Sequence, residues 1–516
     1  MGLEFFRAGP DDEKKNIIIE TSDITVKGLL EYVVEERVYA PWLKDNNWIT
    51  AKKKHKIYDG YMKDKKTGHE FFKVGIGWAS YVLITFQCIM TQEDYNSIVS
   101  AIYRENYREV PFPELRDIQN QDILHILKYR RALASLYTGY GKSQVIAVLA
   151  KYYSQDLGKK VLLVTPQIKP RDELVKRIKN LYGLKVSTNI HDGSGLQAII
   201  TNGLLNRKDV KDPAKEKVFI KELESFDVVL ADEVEYTINP GGFYIYDHIK
   251  SEVLYGVSGT SDKISGRLIN LRNGLSDPTV ASNAGLIKYF GPALVFRQPL
   301  NLEVDDIKIL TPSMNPKNLR LWEIPEDTGN LYLEVMTKIF TNPEVCKTIV
   351  KIATKFPLLF IPINNLQSII NHWIQTWFLG RFRVLLVCHQ GYLYYDLQGN
   401  MTSLSLQEAC DKIRAGEVDV IPSTSSGFRA LDFPCLRNIL IFSGKIAGSV
   451  LQSIGRIDRQ NHMNIISLDP EDGGKIPIHT KQQKVRQNLI DEYYRYCKIS
   501  HITLNENDLP GYTGIC

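Results

Sequence analysis

The stretch Leu136-Tyr137-Thr138-Gly139-Tyr140-Gly141-Lys142-Ser143 lies between two apolar runs, residues 132–136 and 145–150. This order predicts a strand, a tight glycine turn and the start of a helix. The two glycines allow several backbone N–H groups to point into one concavity, while the lysine adds a mobile positive charge and the serine a hydroxyl. Such a loop binds the phosphates of a nucleotide, with the hydroxyl on Mg²⁺. The full phosphate-loop pattern has a glycine at position 136, where this chain has Leu136. An ordinary strand-to-helix turn is therefore the alternative.

A second stretch that could carry catalytic or binding residues is Val228–Glu235, an apolar strand that ends in Asp232 and Glu233. Buried carboxylates are costly without a cation. An aspartate at this place can hold Mg²⁺, and a glutamate one residue later can orient and deprotonate water for phosphoryl transfer. The alternative is that the two acids cap the next helix. The glycine turn earlier in the chain favours the metal interpretation.

The whole chain has the composition of a globular protein of several domains. It has 516 residues, of which 44% are hydrophobic and 24% charged, and its net charge is only +5. A nucleic-acid partner must therefore be argued from local patches rather than from total charge. The seven cysteines form no C-x-x-C pair, which predicts a reducing, cytoplasmic setting without a zinc site. We expect no signal peptide, no transmembrane segment and no membrane partner, because residues 74–86 are too few to span a bilayer.

Residues 1–110 contain no nucleotide-binding pattern but are locally basic. Between Ala51 and Lys73 there are eight lysines and three acids. Residues 57–62 and 71–76 are predicted strands of a basic hairpin, and residues 25–37 are a predicted helix. Lysines with aromatic neighbours suit contact with nucleic-acid phosphates, and the candidates are Lys53, Lys54 and Lys56. A solvated sheet edge that prevents aggregation is the alternative.

A predicted helix begins near Leu115 and carries Arg116 and Gln119, about twenty residues before the glycine turn. An amide at this spacing can read the edge of an adenine ring. A surface glutamine is the alternative.

Two sets of alternating strands and helices follow. The first set covers residues 132–262, with strands predicted at 161–165, 198–201, 228–231 and 254–258; the second begins near residue 331. Strands that alternate with helices imply parallel sheets covered on both faces. We therefore predict an α/β fold with two parallel-sheet lobes in tandem, preceded by a small basic α+β N-terminal domain. The predicted bounds are 1–110 for that domain, 111–295 and 331–475 for the lobes, 296–330 for the crossing and 476–516 for a C-terminal helical extension.

Two stretches of the second set carry further candidates. Residues 424–432 follow a predicted strand, and residues 452–459 contain Arg456 and Arg459, which lie on one helix face. Arginines from one lobe can reach phosphates held by another and stabilise transition-state charge. Surface salt bridges are the alternative role for these arginines.

The order of these segments resembles the superfamily 2 helicases and translocases. Residues 138–143 resemble motif I, Asp232-Glu233-Val234-Glu235 the DExx motif II, and Ser258-Gly259-Thr260 motif III. Residues 424–432 resemble motif V, with Ala430 in place of glycine, and Gln452–Arg459 matches Q-x-x-G-R-x-x-R. The L-R-x-x-Q variant at 115–119 is similar to the UvsW-like phage DNA repair helicases, and Tyr58-Asp59-Gly60 weakly resembles their W-D-G signature. Glu235 differs from the usual residue of the DEAD-box RNA helicases.

This resemblance implies two RecA-like lobes that bind ATP and Mg²⁺. Lys142 would hold the β- and γ-phosphates, and Glu233 would activate water. Ser143 and Asp232 would hold Mg²⁺, and Gln452, Arg456 and Arg459 would complete the catalytic set. The implied nucleotide-binding residues are Arg116, Gln119, Thr138, Gly139, Gly141, Lys142, Ser143 and Asp432. The implied nucleic-acid contacts are Thr165, Pro166, Gln167, Thr201, Asn202, Thr424, Ser425 and Ser426.

The function that the resemblance implies is ATP-dependent remodelling of branched or forked DNA by a monomer, in the host cytoplasm if the source is a phage. Recombination or replication proteins are the partners it suggests. Two alternatives stay open: an RNA helicase or duplex translocase that does not unwind, and an ATP-gated clamp or sensor of nucleic acid. The sequence does not distinguish DNA from RNA.

Overall fold

The computed structural model describes residues 5–39, 48–137, 139–259, 284–297, 302–321, 331–363, 367–388, 390–424, 435–441, 462–471, 487, 490–491, 494 and 497–510. The chain forms two compact units. The first comprises Met1–Leu136 with Tyr140–Arg297, and the second Tyr137–Gly139 with Gln298–Cys516. Each unit has its own sheets and its own buried apolar clusters.

The first unit begins with a small α+β region. Its elements are β1 (Phe6–Pro10), β2 (Asn16–Thr21), α1 (Thr25–Leu29), β3 (Glu31–Tyr39), β4 (Trp48–Lys56), β5 (Tyr58–Lys63), β6 (Glu70–Gly75), α2 (Ala79–Phe86) and α3 (Gln92–Ile102). Four strands form an antiparallel sheet in the order β1-β2-β6-β5, while β3 and β4 form a separate two-stranded ribbon. The predicted basic hairpin is therefore present as β5 and β6.

The predicted helix over residues 25–37 is wrong beyond its first turn, because α1 ends at Leu29 and β3 begins at Glu31. Valines at 33, 34 and 38 favour a strand, and β4 supplies the pairing partner from Lys56 to Trp48. The lysines at 52–54 and 56 consequently lie on β4 of this ribbon.

A parallel α/β lobe completes the first unit. Its elements are α4 (Asp117–Ile126), β7 (Arg131–Leu136), α5 (Lys142–Lys151), β8 (Val161–Thr165), α6 (Ile168–Tyr182), β9 (Leu196–Ile200), α7 (Lys208–Lys211), α8 (Pro213–Glu224), β10 (Val228–Asp232), α9 (Val234–Thr237), α10 (Pro240–His248), β11 (Val253–Ser258), α11 (Ala284–Phe290) and β12 (Ala293–Arg297). The sheet order is β12-β7-β11-β10-β8-β9, and every strand pair is parallel.

The N-terminal sheet packs directly on α11 of this lobe. Ile287 of α11 belongs to the same buried apolar cluster as Val74 and Trp78. Gly77 approaches α11 so closely that a Cβ atom there would lie 1.7 Å from the carbonyl oxygen of Ile287. Lys288 Nζ also lies 3.1 Å from Asp59 Oδ2. The N-terminal region and the lobe therefore share one packed core.

The second unit contains a larger sheet. Its elements are β13 (Glu303–Thr311), α12 (Leu331–Thr341), α13 (Pro343–Lys355), β14 (Leu359–Ile363), α14 (Gln367–Trp373), β15 (Val384–Cys388), β16 (Gly391–Tyr395), β17 (Met401–Leu404), α15 (Leu406–Arg414), β18 (Val420–Thr424), β19 (Asn438–Leu440), β20 (His462–Pro470) and β21 (Lys498–Asn505). The order is β17-β16-β15-β18-β14-β19-β20-β13-β21; β16 pairs antiparallel with both β15 and β17, and the other neighbours are parallel. The predicted fold class is thus confirmed, since two mainly parallel α/β sheets follow an α+β region.

Several details differ from the predictions. The predicted crossing at 296–330 contains β13, and the predicted C-terminal helical extension contains β21, which pairs with β13. The start of the second set is two helices, α12 and α13, because Pro343 cannot continue the first one. Asn342 caps the second helix by accepting hydrogen bonds from Glu344 N and Val345 N.

Candidate nucleotide site

The carboxyl ends of neighbouring parallel strands meet at one edge of the first unit's six-stranded sheet. Ser135 of β7 is paired with Ser258 of β11, and Asp232 of β10 is paired with Val257. β8 and β9 continue the same edge on the other side of β10. Ligands of open parallel sheets bind at this edge. The register therefore brings the glycine turn after β7 close to the acids after β10.

The glycine turn has the backbone that a phosphate loop requires. Gly139 and Gly141 have φ angles of +92° and +93°, which are accessible mainly to glycine. Gly141 is the N-cap of α5, so Lys142 and Ser143 occupy the first turn of that ten-residue helix. Backbone N–H groups in a first helical turn lack intrahelical partners and attract anions. Thr138 lies outside the described residues.

Arg116 and Gln119 brace this loop from behind. Gln119 Nε2 donates to the carbonyl oxygen of Tyr140 at 2.8 Å, and Gln119 Oε1 accepts from Arg116 N at 2.9 Å. The Arg116 guanidinium donates to the same carbonyl. A Cβ atom on Gly141 would lie 2.7 Å from Gln119 Nε2, so the brace also requires glycine there. The predicted adenine contact of Gln119 stays a prediction, since its amide retains one N–H and one lone pair.

Asp232 and Glu233 form an acid pair at the end of β10. Asp232 is buried, and its Oδ1 accepts from Glu233 N at 3.0 Å. Burial and then the neighbouring charge of Glu233 raise the pKa of Asp232 to about 7, while Lys142 opposes the shift. Lys142 is thus close enough to stabilise the carboxylate. A bound cation would favour the ionised form in the same way.

Glu233 has a strained backbone and an unsatisfied carboxylate. Its φ and ψ of 48° and 50° are left-handed, which is uncommon for a residue with a side chain. Within the described part of the chain, Glu233 Oε2 is buried and has no hydrogen-bond partner. Leaving such an atom unpaired is costly in a folded protein. The atom therefore fits a site that is completed by a water or a ligand.

These residues fit a magnesium–nucleotide complex. Ser143 offers a hydroxyl at the start of α5, and Asp232 offers a buried carboxylate near Lys142. Oxygen ligands of this kind are the ones Mg²⁺ prefers, with water completing its shell. The predicted roles of Lys142, Ser143, Asp232 and Glu233 are compatible with where the structure places them.

The next strand contributes a buried hydroxyl at the same level. Ser258 ends β11 and is fully buried, while Glu235 lies on the short helix α9 and is also buried. Thr260, the last residue of the predicted third motif, lies outside the described residues. Ser258 therefore lies near the level of the acid pair, and its role in the third motif stays a prediction.

The predicted nucleic-acid contacts after β8 and β9 are largely internal. Thr165, Pro166 and Thr201 are buried. Thr165 Oγ1 donates to Gln167 O at 3.1 Å, and Thr201 Oγ1 accepts from Asn239 Nδ2 at 2.8 Å. The hydroxyls of Thr165 and Thr201 therefore make hydrogen bonds within the protein and are not turned towards solvent. Gln167, which is partly exposed, and Asn202, which is exposed, are the accessible members of the predicted set.

Other predicted residues are described only in part. Lys56 is exposed, and its Nζ lies 4.9 Å from the ring centre of Tyr58, whereas the side chains of Lys53 and Lys54 lie outside the described residues. Thr424 is buried at the end of β18. The remaining predicted members outside the described residues are Ser425, Ser426, Asp432, Gln452, Arg456 and Arg459.

The sequence motifs did not reveal three residues behind the loop, Tyr140, Asp122 and Arg297. Tyr140 is fully buried, and its hydroxyl donates to Asp122 Oδ2 at 2.6 Å. Arg297 NH2 donates to Asp122 Oδ1 at 2.6 Å. The one available signal was a large aromatic residue between two glycines of a phosphate loop.

No protein-family model matches this chain, and no curated protein sequence matches it either. Among solved structures, the chain is similar to the crystal structure of UvsW from T4, with a TM-score of 0.36 and 13% identity over 97% of this chain and 99% of that one. It is also similar to a variant of S. cerevisiae Dbp5 bound to RNA and ADP BeF3, with a TM-score of 0.49 and 11% identity over 76% and 90% of the two chains. A Dbp5 variant bound to Gle1 and IP6 gives 0.45 and 11% over 75% and 88%.

In the parts of the chain that the structure describes, every helix is too short or too polar to cross a lipid bilayer.

Proposed function

We propose that this chain is an ATP-dependent DNA helicase of superfamily 2 that translocates on branched or forked DNA and remodels it. The observation that carries the ATPase part is the juxtaposition, at one sheet edge, of the glycine turn and the acid pair. Gly141 starts α5 at the lysine, and the Asp232 carboxylate is buried within range of that lysine's charge. The order of the sequence motifs supports the helicase part.

The described residues divide the work of hydrolysis. The N–H groups at the start of α5 and the Lys142 ammonium bind and orient the phosphates, which favours an in-line approach by water. Glu233, whose Oε2 lacks a partner among the described residues, accepts a hydrogen bond from that water and takes its proton as attack begins. Ser143 and Asp232 would hold Mg²⁺, which neutralises charge on the phosphate oxygens when bound.

The second unit's contribution rests on the sequence motifs. Arg456 and Arg459 would supply positive charge to the γ-phosphoryl group, where negative charge accumulates during transfer, and Gln452 would add a neutral hydrogen-bonding amide. Changes in nucleotide state would then alter how the chain holds nucleic acid. Asn202 and Gln167, with the backbone around them, are the proposed phosphate contacts of the first unit.

DNA, rather than RNA, is proposed because the segment at 115–119 resembles the UvsW-like group. The β3–β4 ribbon supports a nucleic-acid partner of either kind. Its β4 strand carries the lysines at 52–54 and 56, and a ribbon that pairs over nine positions, from Glu31↔Lys56 to Tyr39↔Trp48, is long enough to follow a nucleic-acid backbone.

The deciding experiment measures ATP hydrolysis by the full chain with single-stranded DNA, duplex DNA, forked DNA and RNA, each at several salt concentrations. We expect forked DNA to stimulate hydrolysis most, and the fork to be unwound or migrated only when ATP is supplied. Stimulation by RNA alone would replace the DNA assignment with an RNA helicase. Stimulation by duplex without strand separation indicates a translocase, and nucleotide-dependent binding without turnover indicates a clamp.

A further inference from the structure

Tyr140 anchors the phosphate loop through two groups, its backbone carbonyl oxygen and its side-chain hydroxyl. Its carbonyl oxygen accepts from Gln119 Nε2 and from Arg116, and its ring is fully buried. Its hydroxyl donates to Asp122 Oδ2 at 2.6 Å and lies 3.3 Å from Ile118 O. The loop residue between the two glycines thus points away from the nucleotide side and into the protein.

Asp122 is the centre of this anchor and pairs with Arg297. The carboxylate is buried, and Arg297 donates to both of its oxygens, from Nε to Oδ2 at 2.8 Å and from NH2 to Oδ1 at 2.6 Å. Such two-pronged pairs fix orientation as well as charge. Withdrawal of the guanidinium would leave a buried carboxylate without this cation, which is strongly unfavourable.

The Tyr140 phenol stays a hydrogen-bond donor throughout the working pH range. Burial and the bond to Asp122 raise its pKa well above the ordinary value for tyrosine. The link from Asp122 to the loop is therefore not broken by loss of the phenol proton. The link depends instead on the positions of the Tyr140 hydroxyl and the Asp122 carboxylate.

Arg297 occupies a particular place in the chain. It is the last residue of β12, where it is paired with Leu136, the residue that ends β7 and precedes the loop. It is also the last residue of the first unit, since the chain enters the second unit at Gln298.

We propose that Arg297, acting through Asp122 and Tyr140, is a positioning residue for the phosphate loop, so that affinity for a nucleoside triphosphate depends on the Arg297–Asp122 pair. The inference rests on the proposed ATPase function and adds a residue and a route that the helicase motifs do not include. We call Tyr140, Asp122 and Arg297 the loop clasp.

The test compares the full-length wild type with Arg297→Met, Arg297→Lys and Tyr140→Phe. A fluorescent ATP analogue gives the dissociation constant, and steady-state hydrolysis gives KM and kcat. We expect Arg297→Met to raise the dissociation constant and KM about fivefold or more, within the usual size of coupling between sites, with a smaller change in kcat. Arg297→Lys should restore part of the affinity, because it keeps the charge and loses the two-pronged geometry.

The second unit offers a matched control. Arg383 donates to both oxygens of Asp419, from Nε at 3.0 Å and from NH2 at 2.7 Å, in a similar pair that is remote in sequence from the loop. Arg383→Met should lower the melting temperature without changing the dissociation constant for the analogue. A double mutant of Arg297→Met and Tyr140→Phe should show less than the sum of the two single effects, because both changes break one route.

The outcomes separate the two proposals. If the wild type does not bind the analogue at all, the ATPase assignment fails. If the wild type binds it but Arg297→Met lowers only the melting temperature, as Arg383→Met does, the loop clasp is merely structural and the inference is overturned. Additive effects in the double mutant would also overturn it.

Discussion

Two polar clusters share the carboxyl edge of the first unit's sheet and differ in how their polar atoms are satisfied. In the acid cluster, Asp232 and Glu233, one buried carboxylate has a raised pKa and the other has an oxygen without a partner among the described residues. In the threonine cluster, Thr165, Thr201 and Asn239, the described side-chain atoms bond to one another or to nearby backbone.

The difference separates a polar group that lacks a partner from groups that the protein already satisfies. An unsatisfied buried polar atom raises the free energy of the folded chain, so the acid cluster fits a site that a ligand or a water completes. Polar groups that already have hydrogen-bond partners within the protein do not carry this cost. Hydroxyls and amides look alike in sequence, and only their partners separate a binding group from a structural one.

The largest expected effect comes from removing the cation beside the acid cluster. Lys142→Ala should reduce ATP hydrolysis about 1000-fold, because phosphate orientation and charge stabilisation are lost together. Hydrolysis measured with saturating nucleic acid checks this, with circular dichroism to confirm folding. Hydrolysis within about tenfold of wild type would show that the glycine turn does not hold the phosphates.

The next effect separates binding from chemistry within the acid cluster. Glu233→Gln keeps the shape of the side chain but cannot accept the proton of water, so kcat should fall about 100-fold while affinity for an ATP analogue stays within about twofold. Stopped-flow hydrolysis and fluorescent-analogue binding measure the two quantities. Normal turnover by this variant would move the base elsewhere.

A smaller effect, on stability instead of turnover, is expected in the threonine cluster. Asn239 Oδ1 accepts from Gly242 N, and its Nδ2 donates to Thr201 Oγ1 and to Tyr236 O. Asn239→Ala should lower the free energy of unfolding by about 1–2 kcal/mol, the usual cost of losing a helix cap, with KM for ATP unchanged. Urea denaturation checks the loss.

Asn342→Ala is its matched control, since Asn342 caps α13 in the second unit. Both variants should lose stability to a similar extent. A fall in kcat for Asn239→Ala alone would place the threonine cluster inside the active site.

The smallest effect is expected from a buried hydroxyl. Thr201→Val should change nucleic-acid affinity less than about twofold, because Oγ1 bonds to Asn239 and is buried, and should cost about 1 kcal/mol of stability. Asn202→Ala, at the exposed neighbour, should weaken binding more, because it removes an amide that can donate to a phosphate, and should leave the salt dependence unchanged, because asparagine is neutral. Fluorescence anisotropy with labelled forked DNA measures both. The reverse ranking would show that Thr201 turns outward when nucleic acid binds.

Local patterns predicted the parts of the fold that depend on local sequence. The alternation of apolar runs located β8, β10 and β11, and the glycine turn located the start of α5. Strand pairing between residues that are distant in sequence determined the other parts of the fold. Residues 31–39 became a strand because β4 pairs with them, and β21 lies beside β13, almost two hundred residues earlier in the chain.

The same division applies to the site. Lys142, Ser143, Asp232 and Glu233 were predictable because each follows a strand at a characteristic spacing. Arg297 was not, because it meets Asp122 across 175 residues and neither residue belongs to a motif. The orientation of Thr201 depends on Asn239, 38 positions later, and no local rule supplies it.

The close approach of Gly77 to Ile287 has a practical consequence for anyone dividing this protein into fragments. A cut near residue 110 would strip the apolar cover from α11 and leave Ile287 in water, so the shortened product should be prone to aggregate. A fragment that ends after Arg297 would keep both surfaces together. Even alanine at position 77 would force the backbone of α11 to retreat.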